Sequence, residues 1–262
     1  MVGILLTRGM LVGFVAGLLC FGFLRLVGEP QVDRAIAFEA AMDEAKDKAA
    51  ADDAKARGVA MPRQDPEPEL VSRPVQAGLG LFTGVAVYNT AFGGLFALVF
   101  AFAYGRMGNF DPRTTSALLA ISGIVAVYFV PILKYPANPP SVGNPDTIGM
   151  RTAFFFAMIA ISLAAMIAAW MLRNRLAPRC GGWNAALIAG AAYLIVVIAV
   201  GAALPEVSEV PDEFPAVVLW QFRIASAGAQ LIMWTTIGLA FGALTERAET
   251  GRNALRLKAA GS

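Results

Sequence analysis

The chain has 262 residues, 57% of them hydrophobic and only 15% charged, with a mean hydropathy of +0.62; soluble domains are about a quarter charged, so this composition fits a lipid environment. Its 21 basic and 19 acidic residues nearly cancel to +2, without the clustered Lys and Arg that hold nucleic acid, which is set aside as a partner. There is no histidine, which removes the commonest metal ligand and the usual general base near neutral pH.

The first apolar run covers roughly 4–24, close to the ~20 residues that cross a bilayer core. It is too long for a signal peptide, and Leu19 before Cys20 spoils a lipoprotein-type cleavage site, so a retained anchor is expected. Gly9, Gly13 and Gly17 recur every fourth residue and share one helix face, where a neighbouring helix can approach closely.

Residues 29–73 form the one water-exposed insert, an Ala-rich charged helix pattern followed by the proline-rich stretch MPRQDPEPEL. The expected division is a first transmembrane helix over 1–28, an extracytoplasmic insert over 29–73, a five-helix membrane bundle over 74–245 and a cytoplasmic tail over 246–262. Within the bundle, a second span covers about 75–104 and carries Asn89 near its middle. A buried amide there is costly unless hydrogen-bonded, so Asn89 either glues helices or lines a pathway.

Spans over about 114–133, 152–172, 183–204 and 220–244 complete the count. They are separated by RMGNFDPR, by KYPANPPSVGNPD, by a tight turn at Arg173, Arg175 and Arg179, and by LPEVSEVPDEFP. Gln230, Trp234, Thr235, Thr236, Gly238 and Gly242 give the last span a polar, small-residue face suited to helix contact. The fold class is therefore all-α, a polytopic membrane helix bundle of about six transmembrane helices. Lys and Arg concentrate near the span ends on the side of the N-terminus, so both termini are expected in the cytoplasm.

With that orientation the insert and the loops KYPANPPSVGNPD and LPEVSEVPDEFP share the outer face. Glu206, Glu209, Asp212 and Glu213 fall within eight residues, and Glu39 of the insert could join them. Such hard oxygen ligands would meet a divalent cation but discriminate poorly among metals; a solvated acidic loop is the plainer reading. Arg223 would order these carboxylates in the empty state. A seam including Asn89 and Gln230 would carry the ion inward. Cys20 and Cys180 lie in segments assigned to the membrane and its cytoplasmic face, so no disulfide is expected. No phosphate loop and no paired acid and base in the spans support catalysis, and no catalytic residue is assigned.

The strings KYPANPP at 134–140, continuing through Asp146 to Arg151, and LPEVSEVPDEFPAVVLWQFRIASAGAQ at 204–230 resemble the CbtA family of predicted cobalt transporter subunits. The resemblance implies a multi-pass protein in a bacterial inner membrane, a permease for divalent cation uptake with cobalt as the cargo and no resident cofactor. It also implies a small single-span, histidine-rich partner subunit, which would explain a histidine-free chain. Carried onto this sequence, the motif positions are Tyr135, Asn138, Pro139 and Pro140 in one loop, and Glu206, Glu209, Phe214, Arg223 and Gln230 in the other. The alternative is a structural or assembly subunit that packs against a larger membrane complex and transports nothing.

Overall fold

The computed structural model describes residues 2–58, 71–140 and 142–260, apart from the side chains of Pro145 and of 252–260. The stretch MPRQDPEPEL lies outside the described residues. The described chain is all-helical, with five long apolar helices: α1 (Val2–Arg57), α2 (Arg73–Ala103), α3 (Pro112–Lys134), α4 (Ile148–Ala203) and α5 (Ala216–Ala260). Lipid offers no hydrogen bonds to exposed backbone, so apolar runs of this length satisfy themselves as helices.

Two of the three π-helical turns among the described residues stand just before a proline. The Glu29 amide reaches back five residues to the Leu24 carbonyl, so a π-helical turn over Leu24–Gly28 widens α1 just before Pro30. A second π turn, over Val125–Phe129, stands before Pro131 in the same way. A proline ring collides with the carbonyl four residues back, and the wider turn relieves that collision without ending the helix. Helix α1 runs unbroken from the expected first span into the Ala-rich helical part of the insert, as far as Arg57, where Gly58 caps it at a φ of 66°.

The turn expected at Arg173–Arg179 is absent. That stretch is helical, and the reversal falls later, at Gly181, whose φ of 80° and ψ of 156° fold α4 into two arms. The arms run antiparallel: Ser162 and Tyr193 share a 2.8 Å hydrogen bond, and Met158 packs with Val197. Helix α5 likewise continues past Thr245, as far as Ala260. At the start of α3, Pro112 sits in the first turn and Asp111 caps it, accepting from the Thr114 amide at 2.8 Å.

Helices α1 and α2 cross antiparallel on the glycine face. A Cβ at Gly13 would lie 2.2 Å from the Asn89 carbonyl oxygen, one at Gly93 would lie 2.2 Å from the Gly9 oxygen, and one at Gly17 would lie 3.1 Å from the Ala86 Cα. Helix α5 packs on α1 and α3. There Gly238 and Gly242 meet Ala120 and Ser116, and the Ser116 hydroxyl donates to the Gly238 carbonyl at 2.6 Å. Thr235 of the expected packing face is exposed instead. Phe96, Phe100 and Phe241 interlock edge to face in the centre of this four-helix core.

The two ends of the bundle differ in character. At one end Arg113 pairs with Glu246 at 2.9 Å, Asn174 donates to the Arg106 carbonyl at 2.9 Å, and the Arg173 guanidinium lies over Phe110. At the other, the base of the α1 extension meets both long loops, with Ala35, Val142 and Phe214 in one apolar cluster and Phe38 edge-on to Phe214.

Candidate functional site

The loop platform is built from the two motif strings. Tyr135 ends α3 and donates its hydroxyl to the Pro205 carbonyl at 2.9 Å, tying the first loop to the second. Arg223, two turns into α5, donates from Nε to the Ala137 carbonyl at 3.1 Å and from Nη2 to Asn138 Oδ1 at 2.9 Å. A rigid guanidinium fork suits two acceptors held at a fixed angle. Pro139 is buried and Pro140 exposed, so only the first of the pair packs into the platform.

Arg223 thus clamps the KYPANPP loop, and the ordering of a carboxylate falls to Arg151 instead. Glu209 accepts from the Asn144 amide at 2.7 Å and from the Thr147 hydroxyl, and Arg151 Nε stands 3.4 Å away as its ion partner. The Thr147 hydroxyl foremost, then the Asn144 amide and the charge of Arg151, hold the Glu209 carboxyl below its ordinary range. Under this platform lies a cavity of about 310 Å³ lined by Tyr135, Asn138, Arg151, Thr152 and Phe155 among others.

The other carboxylates are dispersed. Glu206 is 94% exposed and lies 3.9 Å from the Lys134 ammonium, Asp212 and Glu213 are exposed on the loop, and Glu39 is exposed on the α1 extension. Among the described residues, no three His, Cys, Asp or Glu side chains come together to hold one metal ion. Acidic density along a sequence does not by itself focus charge: Glu209 is folded onto protein donors while its neighbours face water.

A second polar place lies between α1, α2 and α5. Asn89 is 3% exposed; its Nδ2 donates to the Val85 carbonyl at 2.8 Å, and its Oδ1 faces the Cys20 thiol at 3.8 Å. Cys20 also donates to the Ala229 carbonyl at 3.3 Å. The side chains of Tyr88 and Gln230 stand beside them. These groups line a cavity of about 250 Å³ between α1, α2 and α5, together with Met233. The structure therefore brings Asn89 and Gln230 to one cavity, well away in sequence from the loop motifs.

Sequence reasoning missed Cys20, Tyr88 and Met233 as lining residues. A signal was present for Cys20: it continues the spacing of Gly13 and Gly17 by three residues and so shares their face. Cys20 and Cys180 are both free thiols.

The family described as "Probable cobalt transporter subunit (CbtA)" matches residues 2–246, nearly the whole chain. Comparison with curated proteins and with solved structures gave no match.

Proposed function

Because the chain belongs to the CbtA family of probable cobalt transporter subunits, we propose that it is the membrane permease of a divalent cation uptake system, with cobalt the cargo and a histidine-rich single-span protein the partner. The observation that supports this best is the cavity holding Asn89 and Gln230 within otherwise apolar helices. Buried amides are costly in a bundle held together by packing, and where they line a cavity they offer a hydrated ion a stepping place.

In this reading α4 crosses the bilayer twice about Gly181, which makes six spans with both termini cytoplasmic. The arginines gathered at the end of the bundle that holds Arg106, Arg113 and Arg173 favour that orientation. The loop platform then faces outward. Glu206, Asp212, Glu213 and Glu39 attract cations there by their summed field rather than as a coordination shell. Arg223 keeps Asn138 and its neighbours Tyr135, Pro139 and Pro140 in place, and Glu209 with Arg151 holds the stretch 144–147 that follows, as a rigid rim on which the partner delivers its ion.

One observation favours a non-transporting assembly role: Phe100 and Phe241 are at most 1% exposed and close the bundle core with dry aromatic packing. Radiolabelled cobalt accumulation separates the two readings, in cells without other cobalt importers that express this chain with or without a histidine-rich single-span partner. Uptake that needs both proteins supports the permease. No uptake with either combination, with the chain verified in the membrane, supports the assembly role.

A further inference from the structure

The helical stretches 2–28, 75–104, 112–134, 148–203 and 216–245 contain no Asp, Glu or His. A divalent cation inside this bundle therefore meets no carboxylate and no imidazole. Its remaining candidates for an anionic ligand are the cysteine thiols and the tyrosine phenols, of which a thiolate is the softer donor. Cys180 adjoins the Gly181 reversal at the end of the bundle, whereas Cys20 is 2% exposed and lines the cavity between α1, α2 and α5.

Cys20 does not stand there alone. Its sulfur lies 3.8 Å from Asn89 Oδ1, and the thioether residue Met233 and the amide residue Gln230 line the same cavity. Residues carrying two sulfurs and two amide oxygens, drawn from three helices, line one half-open cavity of about 250 Å³. Packing alone does not call for this set, because an alanine and two leucines would fill the same walls without buried polar atoms.

We propose that the cavity lined by Cys20, Asn89, Gln230 and Met233 is a coordination site for a borderline transition-metal dication, with the Cys20 sulfur as its one anionic ligand. The choice of cobalt as the ion rests on the permease reading; the sulfur ligation does not. Binding replaces the S–H bond with a sulfur–metal bond and releases one proton to solvent, so the site's net charge rises by one instead of two, which lowers the cost of holding the ion away from water. Thiolate and thioether ligands favour cobalt, nickel or zinc over magnesium and calcium, which prefer oxygen. The site thus supplies the selectivity that the exposed outer carboxylates lack.

The test uses the full chain in lipid nanodiscs with cobalt(II) alone as the probe. X-ray absorption on the wild-type protein is expected to show sulfur scattering at about 2.3 Å, the usual metal–thiolate distance. A near-ultraviolet sulfur-to-cobalt charge-transfer band should appear in wild type and Cys180→Ser and vanish in Cys20→Ser. Cobalt affinity of Cys20→Ser should fall at least ~10-fold, since losing even an outer partner of a metal ligand costs that much. Scattering from oxygen or nitrogen only in the wild-type protein overturns the site without appeal to any variant, as does a band that survives Cys20→Ser. If such a protein still imports cobalt with its partner, the permease reading stands and the sulfur site falls. Sulfur scattering in a chain that imports no cobalt has the opposite meaning.

Discussion

Replacing Gly13 with alanine inserts one methyl group at the tightest point of the α1–α2 crossing. The new Cβ would lie 2.2 Å from the Asn89 carbonyl oxygen, whereas carbon–oxygen contacts settle at about 3.3–3.6 Å. Both atoms are fixed to helix backbones, so no side-chain rotation relieves the overlap, and the helices must separate by roughly 1 Å. A gap of that size forfeits about a quarter to a half of each dispersion contact along the face, and overpacking of this kind costs on the order of 1–3 kcal/mol. At about 2–4 °C per kcal/mol for large domains, the apparent melting temperature in detergent should fall by several degrees. Gly22→Ala on the same helix is the control: its Cβ meets nothing within 4 Å, and alanine is favoured over glycine in a helix by up to ~1 kcal/mol. Thermal unfolding followed by size-exclusion chromatography reads both. Equal melting of Gly13→Ala and Gly22→Ala would refute the close crossing, and with it the placement of Asn89 against α1.

The Glu209 carboxyl titrates below its usual value, so the order it gives to the 142–148 segment is complete at neutral pH and lost only in acid, as pH falls through its lowered folded value. Hydrogen exchange corrected for intrinsic rates should show that loss in wild type and fast exchange at every pH in Glu209→Gln. Arg223→Lys keeps the charge but cannot span Ala137 and Asn138 together; exchange over 135–140 should quicken and cobalt uptake fall while membrane insertion is unchanged. Glu206→Gln removes only an exposed, 3.9 Å pair with Lys134, so it should leave melting unaltered and lower uptake mildly, the more so at low ionic strength.

The parts legible in the sequence were those written in local spacing. Gly9, Gly13 and Gly17 announced a close helix contact, and Asn89 and Gln230 stood out as polar residues in apolar runs. The two loop strings carried the family likeness. What stayed hidden depended on partners distant in sequence: Glu209 is held by Thr147 and Arg151, some sixty residues earlier, and Arg223 turns to the KYPANPP loop instead of the nearer acids. Local signals also misled. The arginines at 173–179 looked like a turn, yet the reversal of α4 falls at Gly181, where a glycine takes the positive φ.

Cobalt flux into proteoliposomes, with the chain co-reconstituted with its histidine-rich partner, tests the central claim most directly when wild type is set against Asn89→Leu/Gln230→Leu. The account expects flux in wild type and its loss in the double variant, with both proteins equally folded and inserted. Equal flux in the two would contradict a path through the Asn89–Gln230 cavity.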